Sequence, residues 1–264
     1  MNKYSINKLG NSSVLNGWRT WLRICIHVAS GALILFFYFP FGGQQSKNRH
    51  IKRWSTSLLD IFGIQLRVLN EQVLPPSPFL IVANHISWID IHAINAFKPM
   101  CFVAKSEVES WPIFGWMAKQ LGTIFIKREN LRHARQVSEI VSKALNSKSI
   151  CIFPEGTSTD GEDVLPFKSN LFEAAIIANV PIYALAITYK SLKLGSLSKS
   201  PAFVGDMSLL QSMNNILNDG DLVVELNFIS INGSSIDAPR DRKILALESQ
   251  KAISKYLKSI HKYM

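Results

Sequence analysis

From Ile24 to Phe41 the chain is almost wholly apolar, with only His27 and Ser30 interrupting a stretch of 18 residues. That length sits at the lower limit for crossing the hydrocarbon core of a bilayer. Its exit, Phe39-Pro40-Phe41-Gly42, lacks the paired small residues of a signal cleavage site, so the segment is expected to stay attached. Beyond the Gly42-Gly43 break, Ile51, Trp54, Leu58, Leu59 and Phe62 recur at helical spacing opposite Lys52, Arg53 and Ser55. Two readings fit this second segment: a basic amphipathic helix lying in the headgroup plane, and an ordinary helix packed on a domain. For the pair of helices, a full span competes with a re-entrant or monotopic hairpin. Either version presses the remainder of the chain against one leaflet.

After Gly63 the pattern changes to short apolar or alternating runs. Ile64–Leu69, Phe79–Ala83, Cys101–Ala104, Thr123–Lys127, Ile150–Phe153, Ile182–Ile187 and Leu222–Ile231 read as strands. Helices are predicted between them at Ile89–Phe97, Ile113–Leu121, Leu131–Leu145 and Lys168–Ala178, the third with an apolar stripe of Val137, Ile140, Val141, Ala144 and Leu145. A terminal amphipathic helix is expected from Asp237 and Pro239, with Ile244, Leu245, Leu247, Ile253, Leu257 and Ile260 along it. The alternation predicts an α/β fold, a mixed, largely parallel sheet flanked by helices, behind an N-terminal membrane-associated helical segment. The division is 1–62 for the membrane-anchoring helices and 63–264 for the α/β domain. In such a sheet a ligand site is expected beyond the carboxyl ends of strands.

Composition narrows the partners. Lys and Arg number 29 against 19 Asp and Glu, for a net charge of +10, which draws the protein to anionic surfaces. No acidic residue precedes Asp60, whereas Lys3, Lys8, Arg19, Arg23, Lys47, Arg49, Lys52 and Arg53 all do, flanking the apolar run. Acidic membrane lipid explains that distribution better than nucleic acid does. The hydrophobic fraction of 47% and mean hydropathy of +0.12 fit a globular domain attached to a bilayer. Cys25, Cys101 and Cys151 are odd in number and embedded in apolar sequence, which suits neither a disulfide framework nor a zinc site. They read as small buried hydrophobes in a reducing compartment. No Gly-rich nucleotide fingerprint and no internal repeat is present.

Three strand ends carry candidate chemistry. Asn84-His85-Ile86-Ser87-Trp88-Ile89-Asp90 follows one apolar strand and precedes a helix. A carboxylate five positions on can fold back onto the imidazole, fix its tautomer and leave the other ring nitrogen as a general base. Ser87 reads as a local cap, because no G-x-S-x-G elbow accompanies it. Phe153-Pro154-Glu155-Gly156-Thr157-Ser158 follows a second strand and could offer backbone amides to an oxyanion, with Glu155 accepting from a polyol or an arginine. Gly122-Thr123-Ile124-Phe125-Ile126-Lys127-Arg128 leads a third strand to a guanidinium suited to phosphate, and Lys105 ends a fourth with another cation.

These blocks, in this order and with Val180-Pro181-Ile182 after them, resemble the four successive blocks of the glycerolipid acyltransferase family typified by bacterial 1-acylglycerol-3-phosphate acyltransferase. The resemblance implies that His85 is the catalytic base and Asp90 its orienting partner. It implies further that Lys105, Arg128, Glu155, Gly156 and Thr157 help bind a glycerol phosphate acceptor. The reaction implied is acyl transfer from acyl-CoA or acyl carrier protein to lysophosphatidic acid, with no metal or other cofactor, at the cytoplasmic face of the inner membrane. One departure is Ser158, where the family usually has an arginine. The run from Phe102 through Glu109-Ser110-Trp111-Pro112 and Phe114-Gly115-Trp116 is also similar to lyso-ornithine lipid acyltransferases, which makes a lyso-aminolipid or other lysophospholipid the alternative acceptor. A non-catalytic lipid-binding protein is the alternative of a different class.

Overall fold

The computed structural model describes residues 17–76, 78–126, 131–231 and 240–262. Helix α1 (Gly17–Leu33) continues through a π-helical turn, Ile34–Tyr38, and a Gly42-Gly43 break leads into α2 (Gln44–Ile61). The strands are β1 (Ile64–Leu69), β2 (Leu80–Ala83), β3 (Cys101–Lys105), β4 (Ile124–Ile126), β5 (Ile150–Ile152), β6 (Ile182–Ser191) and β7 (Leu222–Ser230). Between and after them come α3 (Asp90–Phe97), α4 (Ser106–Glu109), α5 (Phe114–Gln120), α6 (Leu131–Leu145), α7 (Phe172–Ile177), α8 (Leu209–Asp219) and α9 (Arg242–Lys262). The seven strands form one sheet in the order β1-β7-β6-β2-β5-β3-β4. Every pairing is parallel except β6 with β7. The carboxyl ends of β6, β2, β5, β3 and β4 therefore share one edge.

Strand β2 shows why its sequence has no polar alternation: both of its faces are covered. Ile81 and Ala83 pack with Leu58, Leu59, Ile94, Met213 and Ile216 of α2, α3 and α8. Leu80 and Val82 pack with Val141, Leu145, Phe172, Ile253 and Leu257 of α6, α7 and α9. The predicted stripe on α6 is narrower than read, since Ile140 lies at its edge and is 53% exposed. On α9, Ile244 and Leu247 likewise face outward. Asp237 and Pro239 lie outside the described residues; the helix is capped by Asp241, whose Oδ1 accepts from the amides of Lys243 and Ile244 at 2.7 and 3.0 Å.

The N-terminal helices are built onto this core. Leu58 and Leu59 of α2, and Phe62 after it, lie in the same apolar cluster as the sheet, while Lys52 and Arg53 stay exposed. Ser55, read as part of the polar face, is buried. The ring of Trp54 stacks on His27 at 4.4 Å and donates through Nε1 to the His27 carbonyl at 3.0 Å, fixing α1 to α2. The helix from Gly17 to Tyr38 is long and apolar enough to cross a membrane. Its inner face holds Ile24, Gly31 and Leu35, and its outer face exposes Trp18, Leu22, Ile26, Leu33, Phe36 and Phe37.

Candidate active site

His85 lies two residues past Ala83, the last residue of β2, where the strand gives way to the turn before α3. The side chain of Asn84 continues the ladder into that turn: Oδ1 accepts from the Ile187 amide at 2.8 Å and Nδ2 donates to the Ile187 carbonyl at 3.1 Å. The buried amide acts as one more backbone unit paired with β6. It holds the next residue at the sheet edge.

Asp90, the first residue of α3, is fully buried. Its Oδ2 accepts from His85 Nδ1 at 2.9 Å and from the amides of Ile86 and Ser87 at 2.8 and 2.9 Å. Its Oδ1 accepts from the Tyr189 hydroxyl at 2.6 Å. Four donors thus compensate a carboxylate that has left water. Because an ionised carboxylate only accepts, the Nδ1 position is the donor in this contact, and Nε2 is the ring nitrogen turned away from Asp90. Nε2 has no partner among the described residues, and the His85 side chain is 21% exposed. Phe153 stacks against the imidazole at 4.2 Å between ring centroids. Ser87 is buried, and its hydroxyl lies 3.5 Å from the Ile89 amide, a place in the turn and not at the opening.

The loop after β5 grips the same residue by its main chain. Glu155 Oε1 accepts from the His85 amide at 2.8 Å, and Oε2 accepts from the Leu165 amide at 2.8 Å. Thr159 donates its amide to the His85 carbonyl at 2.8 Å. The Phe203 amide reaches the Ile86 carbonyl at 2.9 Å, and the Ser158 hydroxyl donates to the Phe203 carbonyl. Burial pushes the Glu155 carboxyl up from its ordinary range, against the opposing pull of the Leu165 and His85 amides. Glu155 is therefore a bracket between two loops, with both oxygens on main-chain amides, where the sequence suggests an acceptor for a polyol or an arginine. The Gly156 amide closes a turn onto the Phe153 carbonyl at 3.1 Å, so it is engaged locally. Thr157 is exposed beside it.

The cations lie further along the edge. Lys105 ends β3, is exposed, and pairs in register with Ile126 of β4. Arg128, two residues past Ile126, lies outside the described residues. Lys199 is tied to Asp160 at 3.1 Å and to Glu162 on the β5 loop. His85, Asp90 and Glu155 are thus brought into one bonded frame, with Gly156 and Thr157 next to it and Lys105 two strands away. Sequence reasoning missed Tyr189 and Thr159. Tyr189 lies 99 positions from Asp90, and a mostly apolar strand with two tyrosines carries no local signal for such a contact.

A model of the acyltransferase family matches residues 65–188, the span that contains His85, Asp90, Glu155 and Thr159 and stops one residue short of Tyr189. The 1-acyl-sn-glycerol-3-phosphate acyltransferase of Neisseria meningitidis is 31% identical over 191 residues, covering 72% of this chain and 74% of that one. The lyso-ornithine lipid O-acyltransferase of Pseudomonas aeruginosa is 32% identical over 208 residues, 78% of each chain. The crystal structure of the 1-acyl-sn-glycerophosphate acyltransferase of Thermotoga maritima shares the fold, with a TM-score of 0.60 at 17% identity over 92% of this chain and 98% of that one. The chain belongs to the 1-acylglycerol-3-phosphate acyltransferase family of the glycerolipid acyltransferases, and it is an acyltransferase.

Proposed function

We propose that the protein transfers a fatty acyl chain from an acyl thioester, acyl-CoA or acyl carrier protein, to the free hydroxyl of 1-acylglycerol-3-phosphate, giving phosphatidic acid. The observation that carries this reading is the His85 Nδ1–Asp90 bond of 2.9 Å with Nε2 left open. Nε2 takes the acceptor hydroxyl proton as the oxygen attacks the thioester carbonyl. The tetrahedral oxyanion collapses, the carbon–sulfur bond breaks, and the proton passes from the imidazolium to the departing thiolate. Asp90 offsets the imidazolium charge during that interval. A thioester is already activated, so no acyl-enzyme is required. Lys105, at the end of β3, and Arg128, two positions past Ile126 in the sequence, are assigned to the acceptor phosphate.

The acceptor glycerophospholipid resides in the membrane, and the outward apolar face of α1 with the cations of α2 suits attachment to one leaflet. We assign that leaflet to the cytoplasmic face of the inner membrane, where acyl thioesters are available. A second reading, lyso-ornithine lipid as acceptor, is favoured by Ser158: its hydroxyl is spent on the Phe203 carbonyl, where an arginine would have added a cation.

The test offers lysophosphatidic acid and lyso-ornithine lipid separately to purified protein in mixed micelles, with acyl-CoA or acyl-loaded carrier protein as donor. Phosphatidic acid that forms with wild type and vanishes with folded His85→Ala supports the first reading. Product from lyso-ornithine lipid alone would transfer the assignment to the second. Wild-type rates retained by His85→Ala would defeat the mechanism for both.

A further inference from the structure

The segment joining β3 to β4 contains a backbone conformation that the active site does not explain. Ile113 has φ 63° and ψ −58°, and the Phe114 amide donates across it to the Pro112 carbonyl at 2.6 Å. This is a γ-turn of the rare, strained hand, and a β-branched residue is among the least suited to positive φ. Burial of the side chain does not compensate, because Ile113 is 57% exposed and Trp111 beside it is 40% exposed.

The turn is nevertheless firmly held. The Gly115 amide donates to the Trp111 carbonyl and the Met117 amide to the Ile113 carbonyl, each at 2.9 Å. Lys119 pairs with Glu109 at 2.9 Å. Gly115 backs so closely onto α4 that a Cβ there would stand 2.2 Å from the Glu109 carbonyl oxygen. Strain that its surroundings impose, with no internal packing gained, points to a use outside the molecule.

Where α5 is fastened indicates what that use is. Met117 is buried with Leu35 and Phe39, and Trp116 and Leu121 pack on the same cluster. The Met117 methyl also lies against Gly31 of α1. The turn therefore belongs to one packed unit with α1, whose outer face is apolar from Cys25 onward, past the exposed Arg19 and Arg23. Tryptophan is enriched at membrane–water boundaries, where its amphipathic ring sits at the level of the headgroups.

We infer that the Trp111–Ile113 turn is a second bilayer contact, an apolar peg that enters the leaflet from the crossover leaving the carboxyl end of β3. The inference rests on the reading of a lipid acceptor taken from the membrane. A single helix lying on a surface defines only a line, about which the domain could roll. A contact displaced from that line fixes the roll and keeps the strand ends turned to the leaflet that supplies the lysolipid.

The test is sedimentation of the full chain with vesicles of phosphatidylcholine and phosphatidylglycerol, which reads binding without turnover. Ile113→Gly removes the peg and the strain together. It is expected to raise the melting temperature by roughly 2–4 °C while weakening vesicle partition severalfold. A merely structural turn would not move the two quantities in opposite senses. With lipids brominated in their acyl chains, Trp111→Phe is expected to lose part of the tryptophan quenching seen in wild type. Unchanged partition and quenching in these variants overturns the peg while membrane attachment stands; no partition of wild type overturns both. A dimer abolished by Ile113→Gly, with partition unaltered, would give the turn to a second copy of the chain and also overturn the bilayer contact.

Discussion

Tyr189→Phe removes one oxygen atom, and its cost can be worked from the surroundings of Asp90. The carboxylate is fully buried, and its Oδ1 has the Tyr189 hydroxyl as donor at 2.6 Å. The phenol holds its proton firmly, because burial and the adjacent Asp90 charge both push its pKa well above the ordinary value. Phenylalanine fills nearly the same space in the core cluster, so the change is electrostatic and not a cavity. Losing a hydrogen bond to a buried charged group costs about 2 kcal/mol. At roughly 2–4 °C per kcal/mol for a chain approaching this size, the melting temperature should fall by about 4–8 °C. Urea unfolding in micelles should show a lower midpoint at an unchanged m-value. A double-mutant cycle with Asp90→Asn isolates the pair. A coupling near zero, or a shift under about 1 °C, would refute the reasoning.

Three further outcomes are expected. Glu155→Gln sets an amide N–H2 against one of the two backbone donors now facing the carboxylate; a loss of about 1–3 kcal/mol in urea unfolding and a lower kcat should accompany it. Gly161→Ala, at φ +81° with a new Cβ 2.7 Å from Ile86 Cδ1, should destabilise by about 1–3 kcal/mol in the same assay. The His92 imidazole, between Trp54 and Trp88, is pushed down from 6.5 to about 4, chiefly by loss of water and secondarily by His27. The unfolded chain binds that proton more readily, so this contribution to stability is whole above pH 6.5 and lost as pH falls towards 4. Wild type should therefore lose more of its urea midpoint than His92→Phe between pH 7 and pH 5.

The sheet was legible because its strands are buried on both faces and so stand out as apolar runs, of which Leu80–Ala83 and Ile150–Ile152 are the plainest. Helix α6 was legible within its limits, Leu131–Leu145, because one stripe packs and the rest does not. The helix Leu209–Asp219 was not anticipated, although Ser208 caps it through the Gln211 amide at 3.2 Å. Its serine and asparagine content masks a stripe of Met213 and Ile216. At the site, the His85–Asp90 pair was readable because both partners lie in one turn. The roles of Glu155 and Tyr189 were not, since each depends on a residue brought from another strand: His85 lies 70 positions from Glu155. A sequence block shows that a glutamate is present, but not that both of its oxygens are consumed by main-chain amides.

That consumption has a consequence for how such enzymes diversify. On the proposed reading His85 is the base, and it is fixed from within, by Asn84, Asp90, Glu155, Thr159 and Tyr189, none of which has to meet the acceptor headgroup. The groups that can meet it, such as Lys105 and Thr157, stand exposed on the outer edge and share few bonds with that frame. Headgroup choice can therefore drift by surface exchange while the proton-transfer geometry stays put, much as a lathe keeps its spindle when the chuck is changed. Relatives named for two different lysolipids are what such a separable design permits.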